Sequence, residues 1–423
     1  MQVKVVWICA FSNPQVRKHY STNVNPLLKY ILEKKGHPID HGVDYGIWNS
    51  NAIKEFEKIK DIDLHIISPI RYLAKKEARF EINGIQYYFF RDENSGLISH
   101  LYYQLVTKNK SRFLRNRKHI QSLIKEINPD VVHVIGAENP YYSLALIDLP
   151  DNIPSIIQLQ ALLDRLAGKI NSSEKKNITY KGKLEREIIQ RADFVGTTLT
   201  DFRNYIKEEI KPDAQFLDLS LAMGNDINMN EEEKMYDFVY YASNINKAGD
   251  EALKAFVIAH KLHPGITLNI VGGFDEEFKK EMDAVINESG LENSVFFEGK
   301  LPTHNDVILQ IRKSKYALLP LKFDFVPNTI REAMCNGLPI VTTITENGTT
   351  NLNKNRESVL LSEQGNPNVM AKNMIKLIEN PSLAKELTQN AVITEKEQNN
   401  NYEIMLHWAD VYKSIKDRRQ NAY

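Results

Sequence analysis

The fold is decided by the stretch "YALLPLKFDFVPNTIREAMCNGLPIVTT" (residues 316–343). Its apolar run 316–323 predicts one β-strand, and the run 339–343 predicts another. Between the two runs, Asn328 is a favourable helix N-cap, and Gly337 is a favourable residue directly after a helix end. We therefore expect a helix of about two turns, from Thr329 to Asn336.

The alternation of strands and helices extends from this stretch toward both ends of the chain. The predicted strands are 3–11, 63–69, 85–90, 129–137, 154–160 and 193–198 in the first half, and 237–243, 267–273, 294–299, 316–323, 339–343 and 358–362 in the second. The predicted helices are 25–36, ending at a C-cap glycine, and 117–128 in the first half, and 249–262, 275–289, 304–313 and 367 to about 417 in the second. Strands that are apolar throughout are typical of parallel sheets covered on both faces. The pattern predicts two doubly wound α/β domains in tandem.

The division between the domains is predicted at an acidic stretch that contains Gly and Asn, residues 222–236, where the alternation lapses. A chain of 423 residues with 42% hydrophobic content is also too long for one ordinary core. We expect domains over 1–225 and 226–400. The remaining residues, 401–423, are expected to form a helix that packs back on the first domain.

The overall composition excludes several classes of function. The formal net charge is zero, which does not fit a protein that binds nucleic acid through bulk charge. The two cysteines, Cys9 and Cys335, lie in apolar runs without metal-type spacing, so we expect reduced buried thiols. The N-terminus does not resemble a signal peptide, and no apolar run is long enough to span a membrane. These features predict a cytoplasmic protein.

Candidate ligand-binding residues cluster after the strands of the second domain, because ligands of parallel sheets bind at the carboxyl ends of the strands. With two such domains, the crevice between them is the expected site. Two acids and several small or basic residues follow these strands: Asp324, Glu332, Lys247, Gly272, Gly273, Gly299 and Lys300. Carboxylates and free helix N–H groups suit a ligand with many hydroxyls. The alternative, a capped helix with solvated acids, has about equal weight from spacing alone.

The stretch also resembles the signature of retaining glycosyltransferases of family 4, which have the two-Rossmann-domain GT-B architecture. That signature is an acid, seven residues and a glutamate, followed by a Gly-x-Pro element. It stands here as Asp324, Pro327-Asn328, Glu332-Ala333-Met334, Gly337, Pro339 and Ile340-Val341. The resemblance covers most of residues 180–395 and is weaker in 1–125.

The resemblance implies a role for each matching residue. Glu332 would bind the ribose hydroxyls of a nucleotide-sugar donor, and Asp324 would bind the transferred sugar. The backbone of Val326, Pro327 and Asn328 would hold the sugar and diphosphate, Lys247 the diphosphate, and Gly299-Lys300 the base. The chain departs from the family at three places. The stretch "YASNINK" lacks the Gly-Arg that usually precedes the lysine, and the first acid of the signature is Asp instead of Glu. In the first loop, "SNPQVRKH" stands where the family usually has a pair of glycines.

In the first domain, which the resemblance makes the acceptor-binding domain, the strand end "VVHVIGAENPYYS" (131–143) carries the polar candidates. Glu138 and His133 are candidate catalytic residues, with Gly136 and Asn139 on the acceptor side. A histidine inside an apolar strand is more often a core residue, and Glu138 could equally be a charge at a helix N-terminus.

The expected reaction is transfer of a hexosyl group with retention, from a nucleotide-diphosphate sugar to a glycan or lipid-linked acceptor in polysaccharide assembly. The leaving diphosphate can accept the proton of the acceptor, so the enzyme orients the reactants and stabilises charge. No cofactor is implied beyond the nucleotide-sugar co-substrate. No metal is implied either, since the sequence has no cluster of His and Cys with metal-type spacing.

Two further questions stay open at the level of sequence. The basic stretch 108–118 carries Lys108, Lys110, Arg112, Arg115, Arg117 and Lys118. It is either a solvated helix face, the usual outcome, or a patch for peripheral contact with the inner face of an anionic membrane. The alternatives to the transferase are a nucleotide-sugar 2-epimerase and a non-catalytic two-domain sugar-binding protein.

Overall fold

The protein, represented by a computed structural model, divides into two compact units. Unit 1 comprises Met1–Ala222 and Asn401–Tyr423, and unit 2 comprises Met223–Asn400. The structure describes residues 2–34, 45–95, 112–167, 175–224, 226–229, 232–244, 248–274, 276–321, 327–345 and 348–420. Each unit is described by itself.

Unit 1 is built on a sheet of eight strands in the described residues, in the order β3-β4-β2-β1-β5-β6-β7-β8. All neighbouring strands are parallel except β3 and β4. The strands are β1 (Val3–Ile8), β2 (Ile62–Ile70), β3 (Glu77–Ile82), β4 (Ile85–Arg91), β5 (Val131–Ile135), β6 (Ser155–Gln158), β7 (Phe194–Gly196) and β8 (Gln215–Leu217). Six of them were predicted, and β3 and β8 were not.

The missed strand β3 forms a tight hairpin with β4. The turn consists of Asn83 and Gly84, both in the left-handed backbone region with φ of 51° and 86°. This is the two-residue turn whose twist matches that of antiparallel strands, and Asn-Gly is its preferred sequence. The dipeptide was therefore a readable signal for an antiparallel strand on the edge of the sheet.

Helices cover the connections between the strands of unit 1. They are α1 (Pro14–Arg17), α2 (Pro26–Lys34), α3 (Ile47–Phe56), α4 (Leu114–Ile127), α5 (Pro140–Ser143), α6 (Leu163–Ala167), α7 (Lys175–Arg191) and α8 (Thr200–Glu209), with a 3₁₀ turn at Leu144–Asp148. The C-cap glycine expected at position 36 lies outside the described residues.

The C-terminal helix (Asn401–Gln420) packs on unit 1 against α3, β1 and β5. Trp408 and Tyr412, both fully buried, project from it into the core around Trp7. The rings of Trp7 and Trp408 meet edge to face, with centroids 5.5 Å apart. Because this helix closes one face of the unit 1 sheet, it belongs structurally to the start of the chain.

In its described residues, unit 2 has six strands, all parallel, in the order β11-β10-β9-β12-β13-β14. The strands are β9 (Tyr236–Asn244), β10 (Leu268–Gly273), β11 (Val295–Gly299), β12 (Ser314–Leu319), β13 (Ile340–Thr343) and β14 (Leu360–Ser362). The helices are α9 (Gly249–Leu262), α10 (Glu276–Glu288), α11 (His304–Arg312), α12 (Asn328–Cys335), α13 (Thr349–Leu352), α14 (Pro367–Glu379) and α15 (Pro381–Gln398). None of the helices in the described part of either unit is both long and apolar enough to cross a membrane.

The strand order of unit 2 places its ligand-binding edge. β9 and β12 are neighbours in the sheet, but the chain leaves them toward opposite sides of the strand order. Such a switch point opens a crevice at the carboxyl ends of the two strands, where doubly wound sheets bind their ligands. The loop before α12 starts at this point, so the segment that decides the fold also reaches the switch point.

Candidate functional site

Helix α12 carries the central residues of the candidate site in unit 2. It begins at Asn328, after an extended Pro327 as the N-cap. The prediction of Asn328 as N-cap was wrong, because its side chain bonds to Glu332 within the helix instead of to a free backbone N–H. Gly337 has the left-handed φ of 70° expected of the residue after the helix end, so that prediction is confirmed.

Glu332 is buried, with 5% of its surface exposed, and is therefore not a solvated acid. Its Oε1 accepts a hydrogen bond from Asn328 Nδ2 and lies 3.4 Å from His304 Nε2. Burial raises the pKa of the Glu332 carboxyl, while the charge of His304 and the hydrogen bond from Asn328 act in the opposite direction. This geometry contradicts the alternative in which the acid is only a solvated charge on a capped helix.

The position of α12 is fixed from β9 and from α15. Tyr241 on β9 is buried and donates its hydroxyl hydrogen to the carbonyl oxygen of Thr329 in the first turn. Arg331, next to Glu332, points elsewhere, since its guanidinium donates to the side-chain oxygen of Asn399. Arg331 is thus directed away from the Glu332 carboxylate.

The loop before α12 is anchored where it leaves β12. The backbone N–H of Leu321 donates to Thr343 Oγ1 at 2.8 Å, and Thr343 Oγ1 donates to the carbonyl of Leu321 at 2.9 Å. Thr343 is the last residue of β13 and is fully buried. The predicted site residues Asp324 and Val326, and Lys247 after β9, lie outside the described residues.

The predicted glycines lie at the carboxyl ends of neighbouring strands. Gly273 pairs with Asn244 at the ends of β10 and β9, and Gly299 pairs with Val271 at the end of β11. Gly299 has a φ of 67°, and a Cβ placed there would meet no atom within 4 Å. The backbone at Gly299 is therefore accessible, with a conformation that other residues rarely adopt. Gly272 also has a positive φ, and Lys300 is exposed.

In unit 1, His133 lies in the core of β5. Its side chain is fully buried, and its Nδ1 lies 2.6 Å from the hydroxyl of Tyr412 on the C-terminal helix. The same hydroxyl accepts a hydrogen bond from Trp7 Nε1 at 2.9 Å. Burial lowers the pKa of His133 to about 3, so the ring is neutral at ordinary pH. The geometry matches the core alternative, and we leave His133 out of the proposed catalytic residues.

Glu138 follows β5 in a hydrogen-bonded array of polar side chains. Asn139 Nδ2 donates to Glu138 Oε1 at 2.7 Å. Gln160, after β6, donates to the same oxygen at 2.9 Å and accepts from Trp48 Nε1 at 2.8 Å. The other oxygen, Oε2, is enclosed and has no hydrogen-bond partner among the described residues. Burial raises the pKa of Glu138 to about 7, although the charge of Lys181 lowers it.

Gly136 is required by the packing around Glu138. Its φ is 101°, and a Cβ there would lie 2.6 Å from the Tyr142 hydroxyl and 2.9 Å from Glu138 Oε1. Any other residue would push both groups aside. The strand end therefore holds the carboxyl in one position.

A second buried carboxyl, Glu185 on α7, was missed by the sequence analysis. Its Oε2 accepts the backbone N–H of Asp164 at 2.9 Å, while Oε1 has no hydrogen-bond partner in the described residues. Burial raises its pKa to about 8, and the charge of Glu138 contributes to the shift. Glu185 lies in a charged helical segment, in which local pattern does not reveal its burial. His304 was missed too, although it begins a helix directly after a candidate strand end.

Half of the described cations of the basic stretch are neutralised within unit 1. Arg112 pairs with Glu187, and Arg117 Nε donates to Asp148 Oδ2 at 2.6 Å. Arg115 and Lys118 are exposed. Lys108 and Lys110 lie outside the described residues.

The strand ends of the unit 2 sheet organise the candidate site, and a family model matches the segment that contains it. Residues 225–393 match the family model of the group 1 glycosyl transferases. This segment is less than half of the chain and contains Glu332, Asn328, His304 and the glycines of the strand ends. The resemblance of the signature is thus supported in unit 2, where its residues lie.

A glycosyltransferase from Haemophilus influenzae, described as uncharacterized, is 32% identical to this chain over 142 residues. The match covers 34% of this chain and 39% of that relative, so the chain aligns with well under half of the relative's length.

Solved structures resemble the whole chain at low identity. The sucrose-phosphate synthase of Thermosynechococcus elongatus has a TM-score of 0.67 at 12% identity, covering 98% of this chain and 99% of its own. A glycosyltransferase from Rickettsia africae has a TM-score of 0.60 at 14% identity, covering 98% of each chain. Anabaena HepE in complex with UDP and glucose has a TM-score of 0.58 at 14% identity, covering 98% of this chain and 100% of its own. The predicted α/β fold of two tandem Rossmann-like units, GT-B, is confirmed.

Proposed function

We propose that this protein is a retaining glycosyltransferase that uses a nucleotide-diphosphate sugar as donor. The observation that carries the proposal is the buried Glu332 carboxylate on α12, beside the switch point of the unit 2 sheet. The match of residues 225–393 to the group 1 glycosyl transferases supports it. The family match also favours a transferase over the epimerase and the non-catalytic sugar-binding protein.

The donor nucleotide would lie along the carboxyl edge of the unit 2 sheet. Glu332 would accept hydrogen bonds from the ribose hydroxyls, and the exposed backbone at Gly299 and Lys300 would contact the base. The first turn of α12, which follows Pro327, would hold the sugar and diphosphate through its backbone N–H groups, since a helix N-terminus favours anions. The UDP bound in the Anabaena structure supports a uridine nucleotide as the first donor to test.

The chemistry requires little acid–base catalysis by the protein. In transfer with retention through one face of the sugar, the leaving diphosphate takes the proton of the acceptor hydroxyl. The protein then contributes orientation and stabilisation of the developing diphosphate charge. We propose that the helix N-terminus and Lys247 supply this stabilisation without a metal ion. Activity that survives chelation of divalent cations with EDTA would support this, and complete loss with recovery on adding Mg²⁺ would contradict it.

The acceptor is proposed to be a glycan or a lipid-linked sugar in polysaccharide assembly. The array after β5 and β6, with Glu138, Asn139 and Gln160, offers hydrogen-bond donors and acceptors that fit hydroxyl groups. Replacing Glu138 by Gln should raise the KM for the acceptor more than the KM for the donor. Equal effects on both substrates would argue against this assignment.

We propose peripheral membrane contact through two exposed cations of the basic stretch, Arg115 and Lys118. Arg115 and Lys118 are exposed, whereas Arg112 and Arg117 contact acids of their own unit. Each free cation near an anionic surface contributes about 1 kcal/mol. Co-sedimentation with phosphatidylglycerol vesicles at low salt, and its loss in the double variant Arg115→Glu and Lys118→Glu, would support the contact. Absence of binding by the unmodified protein would rule it out.

The central test is a transfer assay with UDP-, GDP- and ADP-sugars and a panel of glycan and lipid-linked acceptors. We expect transfer from one donor, with retention of the anomeric configuration read by NMR of the product. The variant Glu332→Gln should lose at least tenfold in kcat/KM, which corresponds to about 1.4 kcal/mol. The matched control, Glu379→Gln, changes an exposed acid that pairs with a histidine on the surface of the same unit.

Three results would refute the proposal. They are the absence of nucleotide-sugar binding or turnover across the panel, an inverted product, and formation of a new nucleotide sugar without acceptor. The last result would identify an epimerase instead. Unchanged activity of Glu332→Gln would show that the donor lies elsewhere.

A further inference from the structure

His304 reaches Glu332 from a different part of unit 2. Glu332 is in the second turn of α12, whereas His304 is the first residue of α11, which follows the loop after β11. The imidazole Nε2 lies 3.4 Å from Glu332 Oε1. The side chain of Glu332 is 7% exposed and that of His304 is 54% exposed. The two residues therefore form a pair with its acid inside and its base at the surface.

The start of α11 holds His304 in place. Thr303 Oγ1 accepts the backbone N–H of Asp306 at 3.1 Å, and the Asp306 carboxylate accepts the Thr303 N–H at 3.0 Å. This reciprocal capping box fixes the first turn of the helix. The fold therefore sets the position of the His304 backbone, while the ring is largely in solvent.

Both partners of the Glu332 carboxylate contact the same oxygen. Asn328 Nδ2 donates to Oε1, and His304 Nε2 lies against Oε1. The second oxygen, Oε2, has no hydrogen-bond partner in the part of the chain that is described. The pair therefore leaves one carboxylate oxygen available to accept hydrogen bonds from a ligand.

The other groups that face Glu332 in the described residues do not replace the charge of His304. Tyr241 faces it from β9 as a neutral phenol, because burial and the charge of Glu332 raise the pKa of Tyr241 well above its usual value. Asn328, on the same helix, is uncharged, and Arg331 is directed to Asn399. His304 is the described cationic group that acts on the Glu332 carboxyl.

We propose that His304 is a positioning residue of the donor site: its imidazolium keeps Glu332 ionised and turned so that the free oxygen accepts hydrogen bonds from the ribose diol. The inference rests on the proposed function, because it assumes a nucleotide at this edge. An ionised carboxylate only accepts hydrogen bonds, whereas a protonated one places a donor toward the diol. The diol therefore binds more strongly to the ionised form.

The expected effect of replacing His304 on nucleotide binding follows from the loss of its positive charge beside Glu332. An opposite charge within about 4 Å lowers the pKa of a carboxyl by roughly one unit or more. Without His304, Glu332 should protonate at higher pH, and nucleotide binding should weaken earlier on acidification. At pH 5.5 we expect the dissociation constant of UDP for His304→Gln to rise about tenfold relative to the unmodified protein. At pH 8 we expect the two dissociation constants to agree within about threefold.

The test measures UDP binding by calorimetry from pH 5 to pH 8.5, with GDP and ADP in parallel. His304→Gln removes the charge, and His304→Lys retains a positive charge and should restore much of the affinity at pH 5.5. The matched control is His263→Gln, which removes another histidine of unit 2 that lies 2.9 Å from a glutamate, Glu379. This control should leave the pH profile unchanged.

A 2′-deoxy nucleotide separates the ribose contact from the rest of the ligand. The unmodified protein should prefer UDP over 2′-deoxy-UDP, and His304→Gln should lose part of this preference at pH 5.5. If the dissociation constant of UDP for His304→Gln equals that for the unmodified protein at all pH values, the inference is overturned while the proposed function stays intact.

A measurement without ligand distinguishes a failure of the His304–Glu332 pairing from a failure of the proposed function. The carboxyl carbon of Glu332, assigned in ¹³C NMR through Glu332→Gln, should titrate at higher pH in His304→Gln than in the unmodified protein. Unchanged titration would refute the pairing itself. A shifted titration, together with no binding of any nucleotide, would refute the proposed function and with it the donor-site role of His304.

Discussion

Replacing Glu138 by Gln should stabilise unit 1 at alkaline pH and leave its stability unchanged in acid. Burial raises the pKa of this carboxyl from its ordinary 4.5 to about 7, so the folded unit holds the proton more tightly than the unfolded chain. The stability from this proton is fully present below pH 4.5. It is lost as the pH rises through about 7, because the folded protein must then bury a charge.

The size of the stabilisation follows from the shift in the pKa of Glu138. A difference of about 2.5 pKa units corresponds to about 3 kcal/mol at full burial, and we expect about 2–3 kcal/mol because the side chain keeps some exposure. Glutamine retains the oxygen that accepts from Asn139 and Gln160 and carries no charge. Glu138→Gln should therefore match the unmodified protein at pH 4.5 and exceed its free energy of unfolding by that amount at pH 9.

The assay uses tryptophan fluorescence during urea unfolding between pH 4.5 and pH 9. All three tryptophans, Trp7, Trp48 and Trp408, belong to unit 1, so the signal follows this unit alone. Glu208→Gln, on an exposed position of α8, controls for the loss of a charge without burial. A difference that does not vary with pH, or a variant less stable than the unmodified protein at pH 9, would refute the reasoning.

Three other substitutions test packing and anchoring. Tyr412→Phe removes a hydroxyl shared by two buried ring nitrogens, and should lower the unfolding free energy of unit 1 by about 2–4 kcal/mol, measured by the same fluorescence. Gly337→Ala forces a Cβ to 2.9 Å from Met229 Cε at a φ of 70°, and should lower the calorimetric Tm of unit 2, with partial recovery in combination with Met229→Ala. Thr343→Val breaks both hydrogen bonds to Leu321, and should raise the KM for the donor sugar at least threefold with little change in Tm.

The parallel sheets could be predicted because their strands are short apolar runs with few competing interpretations. The helix Gly249–Leu262 has the bounds read from its amphipathic pattern. The strand β8 was missed, because its three residues are partly exposed and carry no alternation. Residues that follow strands were assigned to the carboxyl edge for a topological reason: in a parallel sheet all these ends lie at one edge.

The partners of the site residues could not be predicted, since they depend on distances between separate loops. Nothing in the sequence brings His304 to Glu332, which lies 28 positions away on another helix. The side chain of Asn328 could either cap the helix N-terminus or donate a hydrogen bond to Glu332. Local sequence preference favoured the cap, whereas the structure shows the bond to Glu332. The burial of His133 beneath Tyr412 required the position of the last helix, which no local pattern contains.

The cost of burying Glu332 is the strongest physical argument that this residue has a function. Burial raises the pKa of its carboxyl, so the ionised form weakens the fold compared with an uncharged group of the same shape. Packing alone would be served better by glutamine, which could keep the hydrogen bond from Asn328. The chain instead places a histidine against the acid and leaves one carboxylate oxygen without a partner in the described residues. A buried acid that lies against a histidine and has one oxygen without a partner in the described residues suits recognition of a diol, and a purely structural helix cap does not need it.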